Sequence, residues 1–170
     1  KKISRNESVD FSRCSFVGLD EWVGISPGNE GSCYYFLQTF LFKPLGVDPA
    51  QIHLFNALTK NLTAECEAMD EKIREKGPVD LMLVGVGMNG HIGFNEPGVA
   101  WNLYCHVTNL DDTTRSVGQK YFKQSTPLQK GITLGLQHLL ESKSVIVMAS
   151  GLKKAQIMRA AMEDPISQGV

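Results

Sequence analysis

The chain has 170 residues and a formal net charge of −1, with 42% hydrophobic and 21% charged residues. That is enough apolar material for one domain with its own core. The near-neutral balance excludes the broad basic field that recruits nucleic acid or an anionic membrane, and no apolar run approaches the roughly 20 residues of a membrane span.

The opening residues do not read as a signal peptide, so a cytoplasmic protein is expected. Cys14, Cys33, Cys66 and Cys105 are widely spaced, with no Cys-x-x-Cys pair. They are expected to be free thiols, buried or half-buried, in a reducing compartment. In that setting the glycosylation acceptor pattern Asn61-Leu62-Thr63 is idle.

In chain order, residues 1–10 are polar and read as a helix tail and a loop. Residues 15–19 read as a strand with Asp20-Glu21-Trp22 at its exit, and residues 26–31 as loop. A helix is predicted over 32–43, with Tyr35, Phe36, Phe40 and Leu41 as its apolar face and Pro44 and Gly46 as its stop. Leu54-Phe55 reads as a short strand. The clearest helix is predicted over 63–76: Thr63 caps it, Glu65 and Glu67 suit its amino end, and Lys72, Arg74 and Lys76 suit its carboxyl end. Gly77 then supplies a left-handed stop before Pro78.

Residues 81–84 form an unbroken apolar run, with Val86 just beyond, which suits a strand buried on both faces. Glycines at 85, 87 and 90 rule out continuation as helix. Further on, strands are predicted over 102–110, 131–134 and 144–149. Helices are predicted over 115–123, 136–140 and 153–162. The alternation implies an α/β class: one three-layer αβα, Rossmann-like domain over 1–170 with a largely parallel sheet.

The strand at 81–84 leaves through Gly85-Val86-Gly87-Met88-Asn89-Gly90-His91-Ile92-Gly93-Phe94-Asn95-Glu96-Pro97-Gly98. In open α/β sheets, ligands bind beyond the carboxyl ends of strands. The strand exits would gather Asp20 and Glu21, then Asn89, His91 and Glu96, then Lys153 and Lys154 along one edge. A carboxylate base, an imidazole, a second carboxylate and cations suit proton transfer on an anionic polyol. On spacing alone, Asp20 reads more readily as a loop carboxylate capping a turn, and His91 as a surface histidine. Lys153 and Lys154 read equally as a solvated pair. His53, His106 and His138 have no supporting context, and no metal-ligand spacing is present.

The Gly-x-Gly-x-x-Gly-His-x-x-Phe-Asn-Glu-Pro string over 85–97 resembles the signature of the glucosamine/galactosamine-6-phosphate deaminase family. Leu19-Asp20-Glu21-Trp22 is similar to a second segment of that family. The related 6-phosphogluconolactonases share the glycine-histidine part and usually lack Phe-Asn-Glu-Pro. The resemblance implies that Asp20 is the base that enolises the open-chain sugar, that His91 opens the pyranose ring, and that Glu96 orients it. It implies substrate contacts at Glu21, Gly87 and Gly90, and phosphate binding by Lys154 and, more weakly, Lys120. It also implies no metal, no cofactor and a small sugar phosphate as partner, with self-association left open.

The chain departs from the pattern at Asn89, where glucosamine-type members usually carry Asp. Asn-Gly-His, Leu-Asp-Glu-Trp-Val and Gly-Ile-Thr-Leu-Gly-Leu resemble the galactosamine branch, which implies conversion of galactosamine 6-phosphate to tagatose 6-phosphate and ammonia. The alternatives are glucosamine 6-phosphate deamination, a lactonase, or a non-catalytic sugar-phosphate sensor. Val99, Ala100 and Thr108 replace the basic residues of allosteric members, so no such activation is expected. Against the family, a first strand with its phosphate loop and a closing strand and helix are missing, so a fragment incomplete at both ends is expected.

Overall fold

The structure is a computed structural model that describes residues 10–167. The helix tail read over 1–10 lies outside the described residues, Asp10 apart. The class is mixed α/β with parallel strands and helices, as the alternation implies. Among the described residues the strands form three small sheets. β1 (Phe16–Val17) and β3 (Ile52–His53) pair in parallel. So do β4 (Met82–Gly85) and β7 (Val145–Met148). Between them, β2 (Asp20–Trp22), β6 (Lys130–Thr133) and β5 (His106–Asn109) form an antiparallel sheet in the order β2-β6-β5.

That middle sheet corrects the reading of the first strand. Asp20-Glu21-Trp22 is not a loop at a strand exit but a strand. The chain changes sheets at Gly18-Leu19: Gly18 N–H still bonds His53 O at 2.8 Å, and Leu19 O already accepts from Leu134 N at 2.8 Å. A side chain at Gly18 would begin 2.6 Å from Leu54 Cδ2. The strand read at Leu54-Phe55 sits two residues earlier, and the one read over 102–110 shrinks to β5.

The first helix is α1 (Cys33–Leu37), continued by a π turn (Gln38–Phe42) and α2 (Lys43–Leu45). The expected stop at Pro44 is corrected. Pro44 falls inside the last turn, where the wide π ladder meets a residue with no N–H to donate. Gly46, at φ 65°, ends the helix. The expected apolar face is also corrected: Phe36 and Phe40 stack on each other in the open, and Phe42 is the buried ring.

Helix α3 (Leu62–Lys76) carries Cys66, Met69 and Ile73 on one buried stripe, the spacing of a core-facing helix. Its cap is Asn61, not Thr63: Asn61 Oδ1 accepts from Ala64 N at 3.1 Å. Gly77 ends it at φ 87° and ψ 175°, a positive-φ extended stop rather than a left-handed helical one. The stripe packs on Phe55, Met82, Val84, Ile132 and Leu134, the larger core. A second core joins Trp22, Ile25, Phe94, Leu110 and Leu128 beneath the glycine-rich loop.

Helices α4 (Asp112–Gly118), α5 (Leu136–Glu141) and α6 (Ala155–Glu163) complete the described α-helices. α4 starts three residues before the helix read there, because Asp111 caps it through Thr113 N at 2.8 Å. Among the described residues, the run at 81–84 is covered on one face rather than both, with Leu83 about half exposed, and β7 is open on both, since the consecutive Ile146, Val147 and Met148 are each about half exposed. Cys14 is exposed, against expectation, and all four cysteines are free.

Candidate active site

The loop after β4 is folded by its own backbone. Gly87 N bonds His91 O at 2.8 Å, and Asn95 N bonds Ile92 O at 3.0 Å. Phe94 anchors it from below, with its ring centroid 4.5 Å from that of Trp22. Phe94 N also donates to Thr133 Oγ1 at 3.2 Å, fastening the loop to β6. Gly87 is required for a steric reason: a Cβ there would begin 2.3–2.5 Å from the His91 ring atoms. Gly93 is required twice over, by φ 61° and by Thr133 Oγ1 at 2.7 Å from any added Cβ.

His91, Asn89 and Glu96 form one network. Asn89 Nδ2 donates to Glu96 Oε2 at 2.9 Å. Because a carboxylate only accepts, this orients the amide. Asn89 Oδ1 therefore faces the imidazole, 2.6 Å from Nδ1. An amide oxygen also only accepts, so we assign the proton to Nδ1 and a free lone pair to Nε2. Thr114 on α4 closes the network: its Oγ1 donates to Glu96 Oε2 at 3.1 Å and lies 3.0 Å from His91 Nδ1. Glu96 Oε1 accepts from Asp111 N at 3.0 Å.

Burial pushes the Glu96 carboxyl up. Hydrogen bonds from His91, Asn89, the Asp111 N–H and Thr114 outweigh it and hold the group at about 2.

Asp20 comes to the same place from β2. Its register partner is Thr133, the residue that fastens the loop. Asp20 Oδ2 lies 3.5 Å from where a side chain on Gly93 would begin. Loss of water raises its carboxyl to about 6. The Cys33 thiol hydrogen bond opposes this, the Glu21 charge adds to it, and His91 opposes it. A carboxylate with that affinity is suited to accept and return protons near neutrality.

Glu21 points the other way, away from the loop. Its side chain is buried and serves the amino end of α1. Oε1 accepts from Trp22 N at 2.8 Å and Cys33 N at 3.0 Å, and Oε2 from Ser32 Oγ at 2.9 Å and Tyr34 N at 2.8 Å. Four donors satisfy both oxygens, in the place where a helix favours negative charge.

The parallel β4–β7 register pairs Gly85 with Met148, so the turn after β7 (Leu152–Lys154) arrives beside the start of the loop. There the Lys154 ammonium bonds Val86 O, one residue before Gly87. Lys153 stays exposed. Lys120 is exposed as well, with its ammonium 4.8 Å above the Tyr121 ring. Among the described residues no contact joins Lys120 to the loop.

The structure thus brings together Asp20, Asn89, His91 and Glu96, with Lys154 and the Gly87 and Gly90 backbone alongside. It leaves Glu21 and Lys120 apart from them. Two participants went unnoticed in the sequence: Thr114 and Cys33. Neither lies in a motif, and only the packing of α4 against the loop and of α1 against β2 reveals them.

The family model described as "Glucosamine-6-phosphate isomerases/6-phosphogluconolactonase" matches residues 1–168. A glucosamine-6-phosphate deaminase of Clostridium perfringens is 38% identical over 160 residues, 94% of this chain and 66% of the relative. Its counterpart in Oceanobacillus iheyensis is 32% identical over 168 residues, covering 98% of this chain and 67% of the relative. The chain therefore spans about two thirds of the length of these relatives. A solved structure described as a monomeric glucosamine-6-phosphate deaminase superposes with a TM-score of 0.94 at 31% identity, over 99% of this chain and 70% of that one. A Thermotoga maritima 6-phosphogluconolactonase, at TM-score 0.71 and 19% identity over 94% of this chain and 67% of that one, shares the fold. By the family match and by identity above 30% across nearly its whole length, the chain belongs to the glucosamine-6-phosphate isomerase/6-phosphogluconolactonase family.

Proposed function

We propose that this site isomerises and deaminates a hexosamine 6-phosphate, giving a ketohexose 6-phosphate and ammonia. The observation that carries the reading is that a buried Asp20 lies within electrostatic reach of His91, whose Nδ1 faces the Asn89 amide oxygen. In this mechanism His91 Nε2 accepts the proton of the sugar O1 and delivers one to O5, and the ring opens. Asp20 takes the proton from C2 while the substrate ammonium gives one to O1, forming an enolamine; Asp20 then returns its proton to C1, leaving an iminium at C2. Water adds to C2 and ammonia leaves, so the carbon gains an oxygen and loses a nitrogen. Glu96 acts through Asn89 and Thr114, keeping the imidazole in place while its charge changes. Lys154 beside the Gly87 backbone is the proposed phosphate contact, and Lys120 a weaker one.

The relatives' printed names favour glucosamine 6-phosphate as the epimer and fructose 6-phosphate as the product. Asn89-Gly90-His91 is what favours galactosamine 6-phosphate and tagatose 6-phosphate instead. Coupled ammonia release by the full-length protein, with each epimer in turn, tests both. Ammonia from neither, with sugar phosphate still bound, would replace the enzyme by a sensor. Hydrolysis of 6-phosphogluconolactone without ammonia release from either amino sugar would replace it by a lactonase.

A further inference from the structure

Three metal-ligating side chains meet beside the larger core, sharing no residue with the site above. Asp70 comes from the middle of α3, Cys105 from the residue before β5, and His138 from α5. One ligand atom from each lies within 4.8 Å of the other two. His138 Nε2 is 2.7 Å from Asp70 Oδ1 and 3.7 Å from Cys105 Sγ. The residues stand 35 and 33 positions apart in the chain, so no local spacing announces them.

Asp70 Oδ1 also accepts from the Cys105 N–H at 3.0 Å, so the carboxylate holds both of its neighbours. The geometry is unlike a nucleophile triad. A triad orients the imidazole with a carboxylate on one ring nitrogen and presents the other nitrogen to the nucleophile. Here carboxylate and thiol both converge on Nε2. That is the arrangement of ligands around a common centre. Tetrahedral zinc with Zn–S near 2.3 Å and Zn–N near 2.0 Å sets sulfur and nitrogen about 3.5 Å apart, close to the 3.7 Å seen here. The carboxylate stands too near for the same centre and must swing outward by roughly 0.6 Å. Asp70 is the more exposed of the pair, 31% of its side chain against 4% for His138, and its outward swing lengthens the bond it accepts from the Cys105 N–H. The edge of the Tyr104 ring holds the imidazole, with centroids 4.9 Å apart.

We propose that Asp70, Cys105 and His138 bind one divalent cation of the zinc type, with water in the fourth position. Thiolate, imidazole and carboxylate together select zinc over magnesium or calcium, which take oxygen ligands. Binding releases the Cys105 thiol proton to solvent, because the thiolate is the ligand. The cation ties α3, β5 and α5 across the core and leaves the sugar-phosphate chemistry untouched.

The test is titration of the chelator-stripped full-length protein with Co²⁺, whose thiolate charge-transfer band reports the Cys105 bond, followed by displacement with Zn²⁺. The expected result is about one ion per chain, abolition of the band in Cys105→Ser, and affinity weakened by ~100-fold or more in His138→Gln. Cys14→Ser, which removes the exposed thiol, should leave the band unchanged. A wild-type protein without the band overturns the proposal even if the variants fail to fold. So does a band that survives Cys105→Ser or disappears in Cys14→Ser.

Discussion

Asn89 Oδ1 stands 2.6 Å from His91 Nδ1, while the Glu96 carboxylate is 3.5 Å from the same nitrogen. The amide, not the carboxylate, is therefore the nearest group to the imidazole. Its oxygen fixes the ring tautomer, and its nitrogen is itself oriented by Glu96. Asn89→Ala should lower kcat by ~100-fold with little change in KM, since the ring loses its orienting acceptor. Asn89→Asp keeps an oxygen there and should stay within about tenfold of wild type. Steady-state ammonia release checks both, and an unaltered kcat in the alanine variant would remove Asn89 from this role.

Asp20 yields a stability prediction of unusual sign. Its carboxyl is raised from 3.8 to about 6 in the folded chain. The folded state therefore favours the protonated form, and stability falls as pH climbs between those values. Asp20→Asn should melt higher than wild type above pH 6, by ~1–3 kcal/mol, and match it below pH 3.8. The same variant should lose exchange of the sugar C2 proton with solvent. Melts at pH 3.5 and pH 7.5 give the difference directly.

Glu96 behaves in the opposite sense. Its carboxyl is lowered from 4.5 to about 2. Its stabilisation is complete above 4.5 and is lost as pH falls toward 2. Glu96→Gln should cost ~1–3 kcal/mol at neutral pH and nothing near pH 2. Denaturant melts across that window decide it, and a cost independent of pH would argue against an ionised Glu96.

Gly87 tests the loop by steric means alone. Gly87→Ala puts a methyl 2.3–2.5 Å from the His91 ring, so the imidazole must move. The ring is partly buried but belongs to neither apolar core, so the melting temperature should change little. Turnover should fall ~100-fold or more, because displacement of about 1 Å is enough to spoil proton transfer. Circular dichroism paired with kinetics separates the two effects.

Cys33 offers a finer control on Asp20. Its thiol hydrogen bond lowers an aspartate that burial raises. Cys33→Ala should therefore move the acid limb of the pH–rate profile upward, by up to about one unit. A limb that stays in place would detach the thiol from the base.

The sequence by itself determined what is local. The unbroken apolar run, the glycines after it and the alternation of strand and helix follow from backbone chemistry over a few residues. They named the α/β class and the loop from Gly85 to Gly98, and the resemblance of that loop to a known family singled out His91, Asn89 and Glu96. Packing decided the rest. Asp20 and Glu21 are adjacent in the chain, yet alternation along β2 sends one toward the loop and the other into the cap of α1. Thr114, Cys33 and the Asp70-Cys105-His138 group carry no motif, because each matters only through residues far away in sequence. A side chain's partners across a core are set by how distant segments pack, and no short-range pattern encodes that.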